Sequence, residues 1–395
     1  MHEHTVRLKT ESRVPAFLIG DLQSRLAYID EDIAGVVVAA DGASVQLSLR
    51  RAPDADRQAE IQTKIERVLQ AMVPGAVKPR EKVLEDRLDR PLPFGRDPMP
   101  ALLERGEVVQ EGSGIAVLGP TMSGLIDYFE AQFVELARSF GAAGYRFPAL
   151  ISPGLLDRVE YFRSFPHSLS FVSHMREDLD AIERFSQTAG CKDGALQMDR
   201  SALSDVAAIL SPAVCFHYYG ALSGSRLPQG VCVTAVGSCF RYESSNMISL
   251  ERLWNFSMRE IIFVGPKEFV LDNREAARKK VAELLEQWGF AYRVEGASDP
   301  FFIGDFKKQV AFQSAFQLKY EIRAAIPHRQ GTLAVGSYNF HQDFFGRHLD
   351  IAMQGGAPAF TGCVAFGLER MAYAFVAQYG LDRSAWPDIV RRGVA

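Results

Sequence analysis

The sequence predicts an α+β fold in which an antiparallel sheet is flanked by helices. The strand-like segments in its second half are long, and helices are inserted between them without the regular strand–helix alternation of a parallel sheet. No internal repeat or low-complexity tract interrupts this organisation. The 395 residues, 47% hydrophobic and 23% charged, are typical of a globular protein with roughly two to three domains.

Residues 1–86 are predicted to form a small N-terminal α+β domain whose role the sequence does not reveal. Residues 45–49 alternate between apolar and polar side chains, as expected for a strand with one face on a core. Residues 55–72 carry apolar side chains at helical spacing, and either Asp54 or Asp56 could cap that helix.

Residues 87–112 are predicted to be a linker, followed by a second, larger domain over residues 113–395. Prolines that block both helices and sheet ladders occupy four linker positions, Pro91, Pro93, Pro98 and Pro100. In the larger domain, helices are predicted over residues 125–140, 274–288 and 368–379. Strands are predicted over residues 145–148, 231–240, 260–264 and 363–366.

Charge, termini and cysteines exclude several classes of protein. The net charge of −4, from 44 Lys and Arg against 48 Asp and Glu, argues against a general nucleic-acid coat protein. No secretion signal is recognisable, and the most apolar run, residues 35–40, is far shorter than the ~20 residues that cross a bilayer. The five cysteines form no disulfide pattern. We therefore expect a cytoplasmic protein without a membrane partner, whose reduced thiols could include metal ligands.

The sequence contains neither GxxxxGK[ST] nor a GxGxxG that follows a strand, so the common phosphate-binding loops are absent. If the protein uses ATP, arginines must hold the phosphates through planar, bidentate contacts. Phe240-Arg241-Tyr242-Glu243 is followed, after a polar loop, by Arg252, Phe256 and Glu260. On a strand, Arg241 and Glu243 would point to one face.

A second arginine segment is Gly367-Leu368-Glu369-Arg370, where a predicted strand turns into a helix. Arg370 would lie near the helix N-terminus, which also favours anions. With Pro148 after a long helix, these segments resemble the three signature motifs of class II aminoacyl-tRNA synthetases. The resemblance implies a class II synthetase-like antiparallel sheet in residues 113–395 and a homodimer formed through the first motif.

The same resemblance implies a role for each motif residue. Arg241 would bind the α-phosphate and the amino-acid carboxylate, and Glu243 would read the adenine amino group. Phe256 would stack on the adenine, while Arg252 and Arg370 would hold the γ-phosphate. The alternative is that these residues are structural: Arg241 and Glu243 would form a surface ion pair, and Phe256 would belong to the core.

A narrower resemblance, covering roughly residues 115–395, is to the amino acid:[carrier protein] ligases. These are similar to the catalytic core of the zinc-dependent, methanogen-type seryl-tRNA synthetases. It is carried by segments 161–167, 258–260, 339–343 and 362–363 together with Cys215. It implies that Cys215, Glu260 and Cys363 bind Zn²⁺, leaving a fourth position for a substrate amino group.

The alternative for these cysteines is structural. Cys215 and Cys363 are expected in apolar strands, where a free cysteine is most often a small hydrophobe. Cys232 and Cys239 are expected to be core thiols and Cys191 a loop residue. His167 and His341 are expected to have structural or supporting roles.

Magnesium is the point at which the sequence departs from the class II pattern. Most class II sites supply an acidic residue just before the third motif, but residues 332–338 contain none. Asp343 is the nearest candidate. ATP chemistry still requires Mg²⁺, so its ligands stay open.

Three functions compete at this stage. The leading hypothesis is ATP-dependent activation of a small amino acid as an adenylate, followed by transfer to the phosphopantetheine thiol of a carrier protein. The second is a seryl-type tRNA synthetase that charges tRNA; the basic clusters at Arg50-Arg51 and residues 78–82 are too thin to decide this. The third is a non-catalytic paralogue, which the presence of Arg241, Glu243, Phe256 and Arg370 makes less favourable.

Overall fold

The structure is a computed structural model and describes residues 2–7, 13–76, 82–192, 194–244, 247, 249–297 and 318–394. Within these ranges, none of the helices has the length and apolar character that crossing a bilayer requires.

The N-terminal unit, residues 2–76, is a three-stranded antiparallel sheet packed against two helices. Its elements are β1 (His2–Arg7), α1 (Ile19–Leu26), β2 (Ile33–Val38), β3 (Ser44–Leu49) and α2 (Ala55–Met72). The sheet order is β1-β3-β2, and the buried residues of sheet and helices form a separate hydrophobic cluster. Helix α2 agrees with the predicted bounds, and Asp54 is its cap, because its carboxylate accepts a hydrogen bond from the backbone N–H of Arg57.

The predicted linker is partly folded. It contains α3 (Met99–Glu104) and β5 (Val108–Gly112), and it is flanked by β4 (Val83–Asp86) and β6 (Ile115–Leu118). Two prolines of the linker lie at the start of α3, where a missing N–H leaves no helical hydrogen bond unmade. Strand β4 precedes the predicted boundary at residue 86 but pairs within the large sheet, and the division into domains stays a prediction. Residues 78–81 of the basic cluster lie outside the described residues.

The next elements are α4 (Pro120–Arg138) and β7 (Ala143–Gly144). Helix α4 begins five residues before the predicted 125–140, with Pro120 in its first turn. The predicted strand at 145–148 is wrong: the strand comprises only residues 143–144.

An insertion then forms a small subdomain that the sequence did not predict. Its elements are β8 (Leu150–Ile151), α5 (Pro153–Arg158), α6 (Tyr161–Ser164), β9 (Phe171–Val172), α7 (Leu179–Thr188), β10 (Gly190–Lys192), β11 (Ala195–Gln197) and β12 (Ala208–Leu210). Strands β8, β12 and β9 make a three-stranded sheet, and β10 and β11 make a hairpin.

The remaining elements complete the large sheet and its helices. They are α8 (Cys215–Ala221), β13 (Arg226–Leu227), β14 (Val231–Phe240), β15 (Asn255–Gly265), α9 (Lys267–Gln287), β16 (Tyr292–Gly296), β17 (Lys319–Ile326), β18 (Gly331–Gln342), α10 (Phe344–His348), β19 (Ala352–Met353), β20 (Phe360–Gly367), α11 (Leu368–Tyr379) and α12 (Asp388–Gly393). The predictions for β14 and α11 agree with the observed bounds, whereas α9 begins seven residues before the predicted 274–288.

The large sheet has eight strands in the order β4-β16-β17-β18-β20-β15-β14-β7. Every pairing in it is antiparallel except that of β7 with β14. Helices α4, α9 and α11 cover one face, where Phe133 of α4 stacks on Phe366 of β20 at 3.7 Å between ring centroids. The predicted antiparallel α+β architecture is therefore confirmed, and the opposite face of the sheet is left to carry the candidate site.

Candidate active site

Three potential metal ligands meet on the face of the sheet opposite the long helices. Val364 and Phe366 of β20 pack against the helices that cover one face of the sheet. Because side chains alternate along a strand, Cys363 projects from the opposite face. Cys363 is registered with Ile262 of β15, and Glu260 lies two residues away on the same face. Cys215 joins them from the first turn of α8, not from a strand as predicted. The ligand atoms of Cys215, Glu260 and Cys363 lie within 4.8 Å of one another.

Each member of this trio is almost completely buried. The backbone N–H of Val214 donates to Oε1 of Glu260 at 3.2 Å, and Nδ2 of Asn339 donates to Sγ of Cys363 at 3.4 Å. Oε2 of Glu260, in contrast, has no hydrogen-bond partner among the described residues. Burial raises the pKa of Glu260, and hydrogen bonding to Cys363 together with burial raises the pKa of Cys215.

This donor set fits a zinc ion. A buried carboxylate oxygen without a partner is costly, and a cation beside it would remove that cost. Two thiolates and one carboxylate are ligands that zinc accepts, and three protein ligands leave one tetrahedral position open.

The predicted nucleotide ligands form a second cluster. Arg252 forms an ion pair with Glu243, and Nη2 of Arg370 lies 4.0 Å from Oε1 of the same carboxylate. The guanidinium of Arg241 lies 5.5 Å from the centroid of the Phe256 ring. Burial acts to raise the pKa of Glu243, but Arg252 and Arg370 hold it below the ordinary glutamate value. The structure thus brings all five residues together, with three guanidiniums around one carboxylate.

The backbone explains how these side chains are placed. Arg241 and Glu243 follow the last residue of β14 instead of lying within the strand, although the N–H of Arg241 still donates to the carbonyl of Trp254 at 2.9 Å. Arg370 lies in the first turn of α11, as predicted. Its neighbour Glu369 accepts the N–H of Ser257 at 2.8 Å, which fixes α11 beside Phe256.

The two clusters are joined by the short segment 212–214. Nε of Arg241 donates to the carbonyl of Pro212 at 3.0 Å, and Val214 donates to Glu260. One end of the segment therefore contacts a predicted nucleotide ligand, and the other end contacts a predicted metal ligand. A bound amino acid could reach an arginine with its carboxylate and the trio with its amine.

His341 and Asp343, the other residues considered from the sequence, form hydrogen bonds outside the two clusters. His341 contacts Thr361 and Tyr219 through Nδ1, at 3.2 Å and 3.4 Å, which suits a supporting role. Asp343 accepts from Arg347 at 2.7 Å, and nothing in the structure tests it as a magnesium ligand.

Sequence reasoning missed two residues at the site. Glu321 of β17 lies close enough to Arg370 for its charge to act on that guanidinium. Tyr28 of the N-terminal unit donates to the carbonyl of Tyr242, within the nucleotide cluster. No sequence signal links Tyr28 to the site, because it is 214 residues away along the chain and belongs to no motif.

Comparisons with known proteins were made for sequence and for structure. No family model matches the chain. Amino acid–[acyl-carrier-protein] ligase 1 of Bradyrhizobium diazoefficiens is 34% identical over 267 residues, which are 66% of this chain and 79% of the ligase. Ligase 2 of the same organism is 32% identical over 62% of this chain and 72% of the ligase. The type-2 serine–tRNA ligase of Methanococcus aeolicus is 27% identical over 80% of this chain and 62% of its own length.

Solved structures of the same fold include seryl-tRNA synthetases. That of M. kandleri, in complex with A. aeolicus tRNASec, has a TM-score of 0.71 and 20% identity, covering 99% of this chain and 77% of that one. That of Pyrococcus horikoshii, complexed with ATP, has a TM-score of 0.54 and 14% identity, covering 86% and 80%. These likenesses show the class II synthetase-like fold.

Proposed function

The chain belongs to the family of amino acid–[acyl-carrier-protein] ligases, and from that premise we propose that it activates a small amino acid with ATP and transfers it to the phosphopantetheine thiol of a carrier protein. The observation that carries the proposal is the adjacency of the two clusters: three guanidiniums around Glu243 lie next to the buried Cys215, Glu260 and Cys363. One side of such a site suits a triphosphate and a carboxylate, and the other suits an amine.

In the first step, a carboxylate oxygen of the amino acid attacks the α-phosphorus of ATP. The bond from that phosphorus to its bridging oxygen breaks, and pyrophosphate leaves with its electron pair. Arg241 would bind the α-phosphate and the carboxylate, while Arg252 and Arg370 would hold the γ-phosphate. Catalysis then consists mainly of positioning and charge stabilisation, helped by Mg²⁺ carried with the nucleotide.

Glu243 and Phe256 would bind the adenine, through its amino group and its ring face. Arg252 is paired with Glu243 in the structure, so nucleotide binding would replace this ion pair with phosphate contacts. In the second step, the carrier thiol sulfur attacks the carbonyl carbon of the adenylate, the bond to AMP breaks and the thiol proton is released.

Zinc held by Cys215, Glu260 and Cys363 would supply a position that binds a free α-amine. The chain's own contribution is to orient the ligands: Asn339 donates to Cys363, and Val214 donates to Glu260. Both contacts belong to residues outside the trio, as is usual for groups that fix metal ligands.

The deciding experiment is ATP–pyrophosphate exchange measured with each common amino acid in turn. We expect exchange with a small amino acid, followed by transfer of the labelled amino acid to a holo carrier protein. Arg241→Lys should lower the exchange rate by about 100-fold or more, because lysine loses the bidentate contact. The matched control is Arg226→Lys, whose parent side chain forms a surface ion pair with Asp350 and should leave exchange unchanged.

A second candidate function is aminoacylation of tRNA. The observation that favours it is the wider match to type-2 serine–tRNA ligase, over 80% of this chain against 66% for ligase 1. The chain spans 62% of the length of that relative. Transfer to tRNA and not to the carrier would select this function, and absence of exchange with every amino acid would select the non-catalytic paralogue.

We further propose that the protein is a cytoplasmic homodimer. The class II resemblance implies a dimer contact at the first motif, which would correspond here to α4 and the chain up to Pro148. The free thiols of the zinc trio fit a reducing compartment.

A further inference from the structure

The end of α1 in the N-terminal unit contacts the segment that carries Arg241 and Glu243. The hydroxyl of Tyr28 donates to the carbonyl oxygen of Tyr242 at 3.0 Å. Two residues further on, the hydroxyl of Ser244 donates to the carbonyl oxygen of Ala27 at 3.4 Å. The N-terminal unit is therefore hydrogen-bonded to the nucleotide cluster in both directions.

The insertion holds the same peptide from the other side. The backbone N–H of Tyr242 donates to the carbonyl of Ser168 at 3.0 Å. The neighbouring His167 packs edge-on against the Tyr28 ring, with centroids 5.0 Å apart and planes at 76°. Both backbone polar groups of Tyr242, the residue between Arg241 and Glu243, are thus occupied by parts of the chain outside the strands.

The conformation of the segment requires such support. Residues 241–243 follow the end of β14 without regular structure, and Ser244 has a φ of 55°, in the left-handed region that a serine seldom adopts. A strained backbone persists where its surroundings fix it. Burial first, and then the negative charge of Glu243, raise the pKa of the Tyr28 hydroxyl. The phenol therefore remains a proton donor at neutral pH.

We infer that Tyr28 is a positioning residue of the nucleotide site: its hydrogen bond to Tyr242 sets the directions of Arg241 and Glu243, so that docking of the N-terminal unit and binding of ATP favour each other. This inference rests on the proposed use of Arg241 and Glu243 as ATP ligands. It gives the N-terminal unit a role inside the adenylate-forming site itself, in addition to any contact with a partner.

The test compares two Tyr→Phe variants of the full-length chain, each of which removes one hydroxyl that donates to a backbone carbonyl. Tyr28→Phe removes the bond to Tyr242. Tyr379→Phe removes a 2.7 Å bond to Gly289 at the far end of α11. We expect Tyr28→Phe to raise KM for ATP in the exchange reaction by about 5- to 10-fold, as expected for loss of one well-placed hydrogen bond. KM for the amino acid should rise less, because Arg241 would contact both substrates whereas Glu243 would contact only the adenine. Tyr379→Phe should change neither KM, even if it lowers the melting temperature.

A second measurement tests the coupling between ATP binding and docking of the N-terminal unit, and it does not depend on catalysis. Coupling between two sites is reciprocal, so ATP binding should slow hydrogen exchange in residues 19–28 of the wild-type chain. The same addition of ATP should slow exchange less in Tyr28→Phe. Equal KM values for ATP in Tyr28→Phe and wild type, or no protection of residues 19–28, would overturn the inference.

Failure of the proposed function gives a different pattern. If the wild-type chain binds ATP but shows no exchange with any amino acid, the proposed function fails, and the ATP dissociation constants of wild type and Tyr28→Phe still decide the inference. If the wild-type chain binds no ATP at any concentration up to several millimolar, both fail together.

Discussion

Glu260 has a different environment on each of its two carboxylate oxygens. Oε1 accepts a backbone hydrogen bond from Val214, whereas Oε2 lies beside two thiols without such a partner in the described chain. Three acidic groups packed this closely, with side chains buried, repel one another once they ionise. A bound cation would offset this repulsion. The metal content of the protein is therefore the most direct test of whether the three residues bind a metal.

We predict that the purified protein contains about one equivalent of zinc. Cys215→Ala should reduce this to less than about half an equivalent, because two ligands hold zinc far more weakly than three. The measurement is elemental analysis of dialysed protein. Cys232→Ala is the matched control, since Cys232 lies on β14 outside the trio and should leave the zinc content unchanged. Zinc retained in full by Cys215→Ala would remove this residue from the ligand set.

Glu243 gives a prediction on pH. Its pKa is held below the ordinary value in the folded protein, so its ion pairs stabilise the fold above the pKa of an unfolded glutamate, and this contribution is lost as the pH falls through the lowered value. Glu243→Gln should therefore be less stable than wild type at pH 7, by about 1 kcal/mol. The difference in melting temperature should shrink as the pH falls below the ordinary pKa of glutamate, because Glu243 then takes up a proton more readily in the unfolded chain than in the folded one. Melting curves that stay equally far apart from pH 7 to pH 3 would contradict this.

At the scale of elements, the site depends on where strands and helices end. Strand β14 stops at Phe240, so that Arg241 and Glu243 lie just beyond its end, and α11 starts after Gly367, which places Arg370 in its first turn. The hydrogen bond from Ser257 to Glu369 joins the start of α11 to β15. The guanidiniums of Arg241 and Arg370 converge because the end of β14 and the start of α11 meet, and Arg252 reaches them from the loop before β15.

The N-cap of α2 gives a prediction at this scale. The sequence left Asp54 and Asp56 open as caps, and the structure gives the hydrogen bond to Asp54. Asp54→Ala should lower the free energy of unfolding of the N-terminal unit by about 1 kcal/mol, whereas Asp56→Ala, which loses only a charge near the helix N-terminus, should lower it by about 0.3 kcal/mol. Native-state hydrogen exchange in α2 measures both. Equal effects of the two variants would contradict the assignment of the cap.

The predictions for elements succeeded where a residue pattern is long and has a clear end. Strand β14 and helix α11 have the predicted bounds, because the first is a run rich in β-branched residues that starts directly after Gly230 and the second begins after a glycine. Helices α4 and α9 begin earlier than predicted: Pro120 lies in the first turn of α4, and Pro266 directly precedes α9. The insertion was not predicted because strands of two or three residues are too short to show a period.

At the scale of the whole molecule, the described residues cover one edge of the large sheet only in part. Strand β7 pairs with only Val233 and Thr234 of β14. Beside it, the side chains of Val236 and Tyr145 are 41% and 45% exposed. An open sheet edge with apolar side chains is a ready surface for a second copy, and it coincides with the first class II motif.

We predict that the protein is a dimer, with twice the chain mass of 43.8 kDa by light scattering. Val236→Lys should shift the population towards monomer at micromolar concentration, because burying a lysine at an apolar interface is unfavourable. Val37→Lys, at an exposed valine of the N-terminal unit, is the matched control and should leave the mass unchanged. A monomeric wild-type protein would contradict the prediction.

The amino-acid sequence determined the antiparallel architecture of this protein and the residue types that could hold phosphates or a metal. These follow from local patterns and from the fixed chemistry of each side chain. Tertiary structure decided which of these residues meet, because Cys215, Glu260 and Cys363 come from a helix and two separate strands, and only sheet register sets their distance. It also decided that Tyr28 reaches the nucleotide cluster, since a contact across 214 residues depends on how two packed units dock and leaves no trace in local sequence.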